Sequence, residues 1–443
     1  MSTMSILFVC CSIYNSGCTQ KKFNDLNARR SAEWVRDAVI YEINLRSFPK
    51  EGTFKAFEAE IPLLKKRGMT VISFMPIHPL GELERKGNLG NLNAVKDFYA
   101  VNPEFGTLDD FKALVNIVHQ QGLKIIINLV AGQVAWDSQL LMEHPDWFVH
   151  NEEGAIVSPD VENGDAAQLN YNQHELRKYM IALMKFWVQE IGIDGFQCRS
   201  AELIPTEFWD VARSELDKAG PVLMISEGRL PEHHLKAFDL TWSWDMNTAC
   251  ANIADGKVPA SVINDSLNAE LLKYPKGSMH LRSNRAQEKK IEDAAAINIS
   301  DPQRAKTIAF LTFTLPGVPL VRCGDEAGDT KKIGLLNNLY EDVSTLHWNH
   351  PALRYGSYVN VQNSAPSQLY SFIRCSGKDS VLVVVNFANE KKEADIQMPV
   401  DASVFWKDQF SGVGVIVKNA RLSVTIGPLG VLALVPFSEK EMK

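Results

Sequence analysis

Two short apolar runs end in side chains that could do chemistry. Residues 193–198 read Ile-Asp-Gly-Phe-Gln-Cys and continue into Arg199 and Ser200, and residues 221–227 close on Glu227. Each run lies between amphipathic stretches, the pattern of a buried parallel strand between helices. In barrels built from such units, chemistry sits at the carboxyl ends of the strands. Glu227 can give or take a proton there. Arg199 can do neither, because a guanidinium stays protonated and has no acceptor. No convincing second carboxylate joins Glu227. Glu202 falls three residues past Arg199 and reads as a solvated or capping side chain. Asp194 sits at the buried start of its strand, the wrong end, and Glu42 reads as a helix-facing or inner-layer charge. His144, His233 and His234 make no metal-ligand pattern. The spaced Cys198, Cys250, Cys323 and Cys375 read as buried thiols, so neither metal nor cofactor is expected. Trp136, Trp147, Trp209, Trp242 and Trp244 read as packing rather than as a ligand-stacking surface.

The elements that must position these residues follow in order. Apolar runs at 38–44, 70–76, 123–130, 193–198, 221–227, 237–242, 277–284 and 317–323 predict eight strands. Between them, helical periodicity appears at 53–67, 108–121, 174–190, 205–219, in two pieces within 245–274, and at 301–315. Eight such units call for a closed α/β architecture, a (β/α)8 TIM barrel over 35–355. A long connection at 77–106 and a short inserted subdomain at 131–172, after the third strand, interrupt it. From 356 to 443, short alternating runs with turn residues between predict a C-terminal antiparallel β-sandwich.

The chain has 443 residues, a hydrophobic content of 45% and a net charge of −7, which suit a large globular domain plus a smaller one. No basic block points to nucleic acid. The apolar run 5–14 followed by Asn15-Ser16-Gly17-Cys18 resembles a bacterial lipoprotein cleavage box. Residues 1–18 are therefore expected to be a signal segment with Cys18 lipidated, and 19–34 a tether. That implies export and a lipid anchor in the bacterial envelope, periplasm or outer membrane, without a spanning helix.

From about 38 to 436 the chain resembles the alpha-amylase family of glycoside hydrolases. The resemblance rests on VKDFYAVNPEFGTLDDFKALV at 95–115, HPDWF at 144–148, AAQLNYNQHELRKYM at 166–180, GIDGF at 192–196 and PGVPLVRCGDE at 316–326. It implies retaining chemistry by a nucleophilic carboxylate, an acid/base carboxylate and a third carboxylate steadying the transition state. The acid/base position falls on Glu227. The nucleophile position falls on Arg199 and its supporting arginine on Gln197. The Asn-His-Asp triplet after the seventh strand becomes Asn284, Arg285 and Ala286. At the third strand, the expected Asp-x-Val-x-Asn-His becomes Asn128 through Gln133. Gly132 therefore replaces the calcium-serving asparagine, and Gln133 the sugar-holding histidine. Asn93 stands where many members place a stacking tyrosine.

A cation at the nucleophile position also reverses the field that would steady an oxocarbenium-like transition state. The resulting expectation is a degenerate member that binds a glucan or a protein partner without cleaving it. The alternative is an active α-glucan hydrolase or glucanotransferase with altered chemistry centred on Glu227. Two further expectations concern the barrel mouth: an Arg199–Glu227 ion pair, extended by Arg285, and a small-anion pocket formed by Arg199, Arg285 and Arg322.

Overall fold

The protein is described by a computed structural model covering residues 22–48, 51–85, 91–159, 164–283, 302–323, 333–400 and 402–438. Eight parallel strands close into a barrel: β1 (Ile40–Ile43), β2 (Val71–Phe74), β3 (Lys124–Leu129), β6 (Gly195–Cys198), β7 (Leu223–Ser226), β8 (Leu240–Trp242), β9 (Met279–Ser283) and β10 (Val318–Arg322). Their order round the ring is β1-β10-β9-β8-β7-β6-β3-β2. Between β3 and β6 lies the inserted subdomain, where β4 (Gln133–Ala135) pairs antiparallel with β5 (Ala166–Gln168).

The two-residue period of a strand divides the barrel interior into layers. Ile40, Val71, Ile126, Leu223, Leu240, Leu281, Val318 and Leu320 belong to one apolar cluster filling the lower barrel. Two residues further along β1, β2 and β3 stand Glu42, Ser73 and Asn128, all buried and all polar. On β6 the same step leads from Gly195 to Gln197. Gly195 has φ 153°, and a Cβ there would lie 2.0 Å from the Leu223 carbonyl oxygen, so only glycine fits between β6 and β7. Its neighbour Asp194 pins the opposite end of the strand. Its carboxylate accepts from the Ile125 amide (2.9 Å) and contacts Lys124 and His119, each at 2.7 Å.

Helices cover the barrel. The helix Leu108–Gln120 starts at a capping box in which Thr107 Oγ1 accepts from the Asp110 amide and the Thr107 amide donates to Asp110 Oδ2. It buries Phe111, Leu114, Val115 and Val118 along one face. Two helices differ from expectation. The stretch 53–67 splits into Phe54–Phe57, a 3-10 turn Glu58–Glu60, and Ile61–Lys66. The break falls just before Pro62, which has no N–H to continue the ladder. The stretch 174–190 is α-helical only over His174–Phe186 and then widens into a π turn, Trp187–Ile191.

The C-terminal domain is one antiparallel sheet of eight strands: β11 (Ser357–Asn360), β12 (Leu369–Ser376), β13 (Asp379–Asn386), β14 (Lys392–Gln397), β15 (Phe405–Asp408), β16 (Gly414–Lys418), β17 (Arg421–Ile426) and β18 (Val431–Pro436). Their order is β11-β12-β13-β18-β15-β16-β17-β14. The sheet folds on itself as a sandwich, with Leu382, Val384 and Leu434 in one core with Ile396, Leu422, Val424 and Ile426. Its other face carries Tyr370, Phe372, Val381 and Val383, which share the main core with Phe310 and Phe313 of the barrel helix Pro302–Thr314.

The segment 19–34, expected to be a tether, is held against the barrel where it is described. The Ala28 amide donates to the Lys276 carbonyl, and the Arg29 amide to the His234 carbonyl. Arg29 also pairs with buried Asp239 at 3.4 Å and with Asp217 at 3.5 Å. A buried carboxylate draws a cation to it, and this fixes a stretch whose composition alone reads as linker. Cys18 and the rest of the expected signal segment lie outside the described residues.

Candidate functional site at the barrel mouth

The polar layer converges on Gln197. Its Nε2 donates to Glu42 Oε1 at 2.9 Å and to Glu227 Oε1 at 3.0 Å, so one amide nitrogen holds a carboxylate from β1 and another from just past β7. Ser73 Oγ lies 3.4 Å from both Gln197 Oε1 and Asn128 Oδ1. Glu42 is also closed off by Arg322, whose Nε lies 2.6 Å from Glu42 Oε2 as an ion pair without hydrogen-bond alignment. The Arg322 guanidinium stacks over Trp242, 5.4 Å from the ring centre.

Arg199 faces Glu227, as the charge reversal at neighbouring strand ends implies. Its Nε lies 3.8 Å from Glu227 Oε2. Both oxygens of Glu227 are therefore engaged, one by an amide and one by a guanidinium. The backbone fixes the pair: the Arg199 amide donates to the Leu129 carbonyl, and the Glu227 amide to that of Cys198. Trp244 Nε1 donates to the Glu227 carbonyl at 2.7 Å. Just after Arg199 the chain turns through Ser200, whose φ of 49° lies in the left-handed region that a non-glycine residue enters at a cost.

Beside Arg199, the cavity lined by Asn93, Gly132, Gln133 and Leu203 is about 30 Å³. That is room for water and not for a pyranose ring. Gln133 bridges its wall by donating from Nε2 to the Asn93 carbonyl at 3.1 Å. Gln133 is thus held by the main chain of residue 93, while Asn93 Oδ1 has no hydrogen-bond partner among the described residues. Gly132 accepts from the Leu169 amide through its carbonyl, a contact within the inserted subdomain.

Asn284, Arg285 and Ala286 lie outside the described residues, and with them the Arg285 arm of both the ion pair and the anion pocket. Of the other two arginines proposed for that pocket, each faces a carboxylate: Arg199 faces Glu227 and Arg322 faces Glu42. Glu202 ties the neighbouring loop, accepting from the Arg229 amide at 2.9 Å. Glu42 turns out to belong to the inner layer. Its link to Gln197 and Glu227 was the part missed from sequence, although its place two residues after Ile40 on an inward-facing row carried the hint. Trp242 and Trp244 stack on each other at 4.5 Å. His233 and His234 are absorbed in hydrogen bonds to Ser226 Oγ and Thr241 Oγ1.

Known proteins share this architecture. Residues 19–158 match the family described as "Alpha amylase, catalytic domain", and residues 358–437 match "Alpha amylase, C-terminal all-beta domain". A maltogenic alpha-amylase from Thermotoga neapolitana superposes with a TM-score of 0.82 at 27% identity, covering 91% of this chain and 100% of that one. A cyclomaltodextrinase from a Bacillus species is 20% identical over 424 residues, 82% of this chain and 75% of the relative. Neopullulanase 2 from Thermoactinomyces vulgaris is 22% identical over 466 residues, 89% of this chain and 77% of the relative.

Proposed function

The chain belongs to the alpha-amylase family, and from that premise we propose that it binds α-glucans without hydrolysing them. The observation that carries this reading is the state of Glu227, held through one oxygen by Gln197 and faced at the other by Arg199. Retaining hydrolysis needs a carboxylate on the far side of the anomeric carbon, and that position carries a guanidinium. The glucan as ligand class is carried over from the relatives, whose names describe enzymes of maltodextrins and pullulan-like glucans. The test is prolonged incubation with maltoheptaose and analysis of the released sugars. No product is expected from the wild-type chain, while glucan affinity persists.

The relatives favour a second reading, an active α-glucan hydrolase. Glu42 and Glu227 share one donor at 2.9 and 3.0 Å, so their oxygens lie within about 6 Å, near the roughly 5–5.5 Å of a retaining pair. Against it, Glu42 is 2% exposed and paired with Arg322. Turnover abolished by both Glu227→Gln and Glu42→Gln would replace the first reading with this one.

We also propose export with a lipid anchor on Cys18, motivated by the apolar run and small residues before it. Expressed in a bacterial host, the Cys18→Ser chain should leave the membrane fraction. A wild-type chain found entirely in the soluble fraction would dismiss the anchor.

A further inference from the structure

Away from the mouth, a groove of about 710 Å³ opens between the connection 77–106, the helix Gln139–Glu143 of the inserted subdomain and the helix His174–Phe186. None of its lining residues lines the cavity beside Arg199. Its size falls within the roughly 300–1,000 Å³ of small-molecule sites. We propose that this groove is a binding site for an α-glucan oligosaccharide; the proposal rests on the reading above that α-glucans are the ligand class.

The lining has the two components a pyranose needs. Aromatic rings offer apolar faces to the sugar's C–H surface, and side-chain acceptors and donors meet its hydroxyls. Tyr99 and Tyr179 meet edge to face at 5.9 Å, and Tyr179 packs on Trp147 at 5.7 Å. His144, which lines the groove, stacks flat on Trp147 at 4.0 Å and an interplanar angle of 8°. These contacts lock the rings, so little rotamer freedom remains to be lost on binding. Burial pushes both phenols up from their ordinary range, which keeps them neutral donors. Neither hydroxyl has a hydrogen-bond partner among the described residues.

The charge pattern selects a neutral ligand. Asp97, Asp137 and Glu143 outnumber Lys96, which disfavours anions. Yet Asp137 is already paired with Lys96 at 2.9 Å and accepts from the Glu82 amide at 3.2 Å, and Glu143 accepts from Gln139 Nε2 at 2.5 Å. No bare carboxylate pair is left for a cation. Pre-ordered acceptors beside fixed rings suit a polyhydroxylated neutral molecule, which can donate to carboxylate lone pairs still unused.

The experiment is titration of the full chain with maltoheptaose, followed calorimetrically. The Asp97→Ala/Glu143→Ala chain changes only exposed rim residues. Tyr179→Phe removes one hydroxyl and keeps the ring packing. Circular dichroism checks that both fold. The rim variant is expected to weaken affinity about tenfold, the loss of about one hydrogen bond's worth of binding, and Tyr179→Phe several-fold. Wild-type binding that both variants leave unchanged would overturn the groove while leaving the glucan reading in place. Absence of any maltoheptaose binding by the wild-type chain would overturn both.

Discussion

Gln197 holds Glu42 and Glu227 with one nitrogen, so replacing it tests how the polar layer is balanced. Gln197→Leu keeps the bulk but leaves two largely buried carboxylates each short of a donor. It should destabilise the fold by about 1–3 kcal/mol in chemical denaturation; an unchanged midpoint would show that the arginines alone suffice. A second residue-scale prediction concerns Glu270. Burial works to raise its pKa, but the charge of Arg282 and hydrogen bonds from Arg282 and Ser243 outweigh it and lower the value to about 2. A depressed carboxylate pKa contributes stability above its unfolded value, near 4.5, and loses it as pH falls toward 2. The stability gap between wild type and Glu270→Gln should therefore be full above about pH 5 and shrink through that window. A gap independent of pH would refute the assignment. At this scale Arg199 was legible, because Gly195 and the register of β6 leave its position no freedom. Glu42's role was less so: strand alternation gives a side chain one of two faces but not the partner it meets across the barrel.

The elements around the site show why local pattern and final form diverge. The connection 77–106 reads as a loop, yet it is anchored by His78, whose ring packs edge-on against Phe98 and Trp187. His78 Nδ1 lies 3.0 Å from the Ala100 carbonyl oxygen. Only tertiary contacts create that anchor, so no periodicity announces it. Burial lowers the His78 pKa to about 4. The neutral ring is the folded form, so its contribution is complete above the unfolded value of 6.5 and lost as pH falls toward 4. Replacing His78 with Phe should remove up to about 1.4 kcal/mol per pH unit of acid sensitivity in that interval. Denaturation curves at pH 7 and pH 4.5 compare the two slopes, and parallel slopes would sink the idea. The helix over 53–67 failed differently: apolar spacing is continuous across Pro62, but the backbone ladder is not.

The molecule as a whole was legible as barrel plus β-domain because strand and helix periods are separate signals. How the two bodies join was not, because an alternating strand gives no sign of which face meets a helix and which meets another strand. In β12 and β13 both faces are buried, Tyr370, Phe372, Val381 and Val383 against the barrel helices and Leu382 and Val384 inside the sandwich. The buried guanidinium of Arg374 fastens the seam, donating to the carbonyls of Thr314 at 2.9 Å and Gly356 at 3.1 Å. A shared core couples the stabilities of the bodies it joins. Phe372→Ala should cost about 3–5 kcal/mol, the range for opening a large aromatic cavity. The loss should appear in the barrel as well as in the sheet. Hydrogen exchange can follow strand amides of β3 and β13 in the same full-length chain. Equal loss of protection in both would show one cooperative unit, whereas exchange accelerated only in β13 would show that the sheet unfolds on its own and that the seam is a contact rather than a common core.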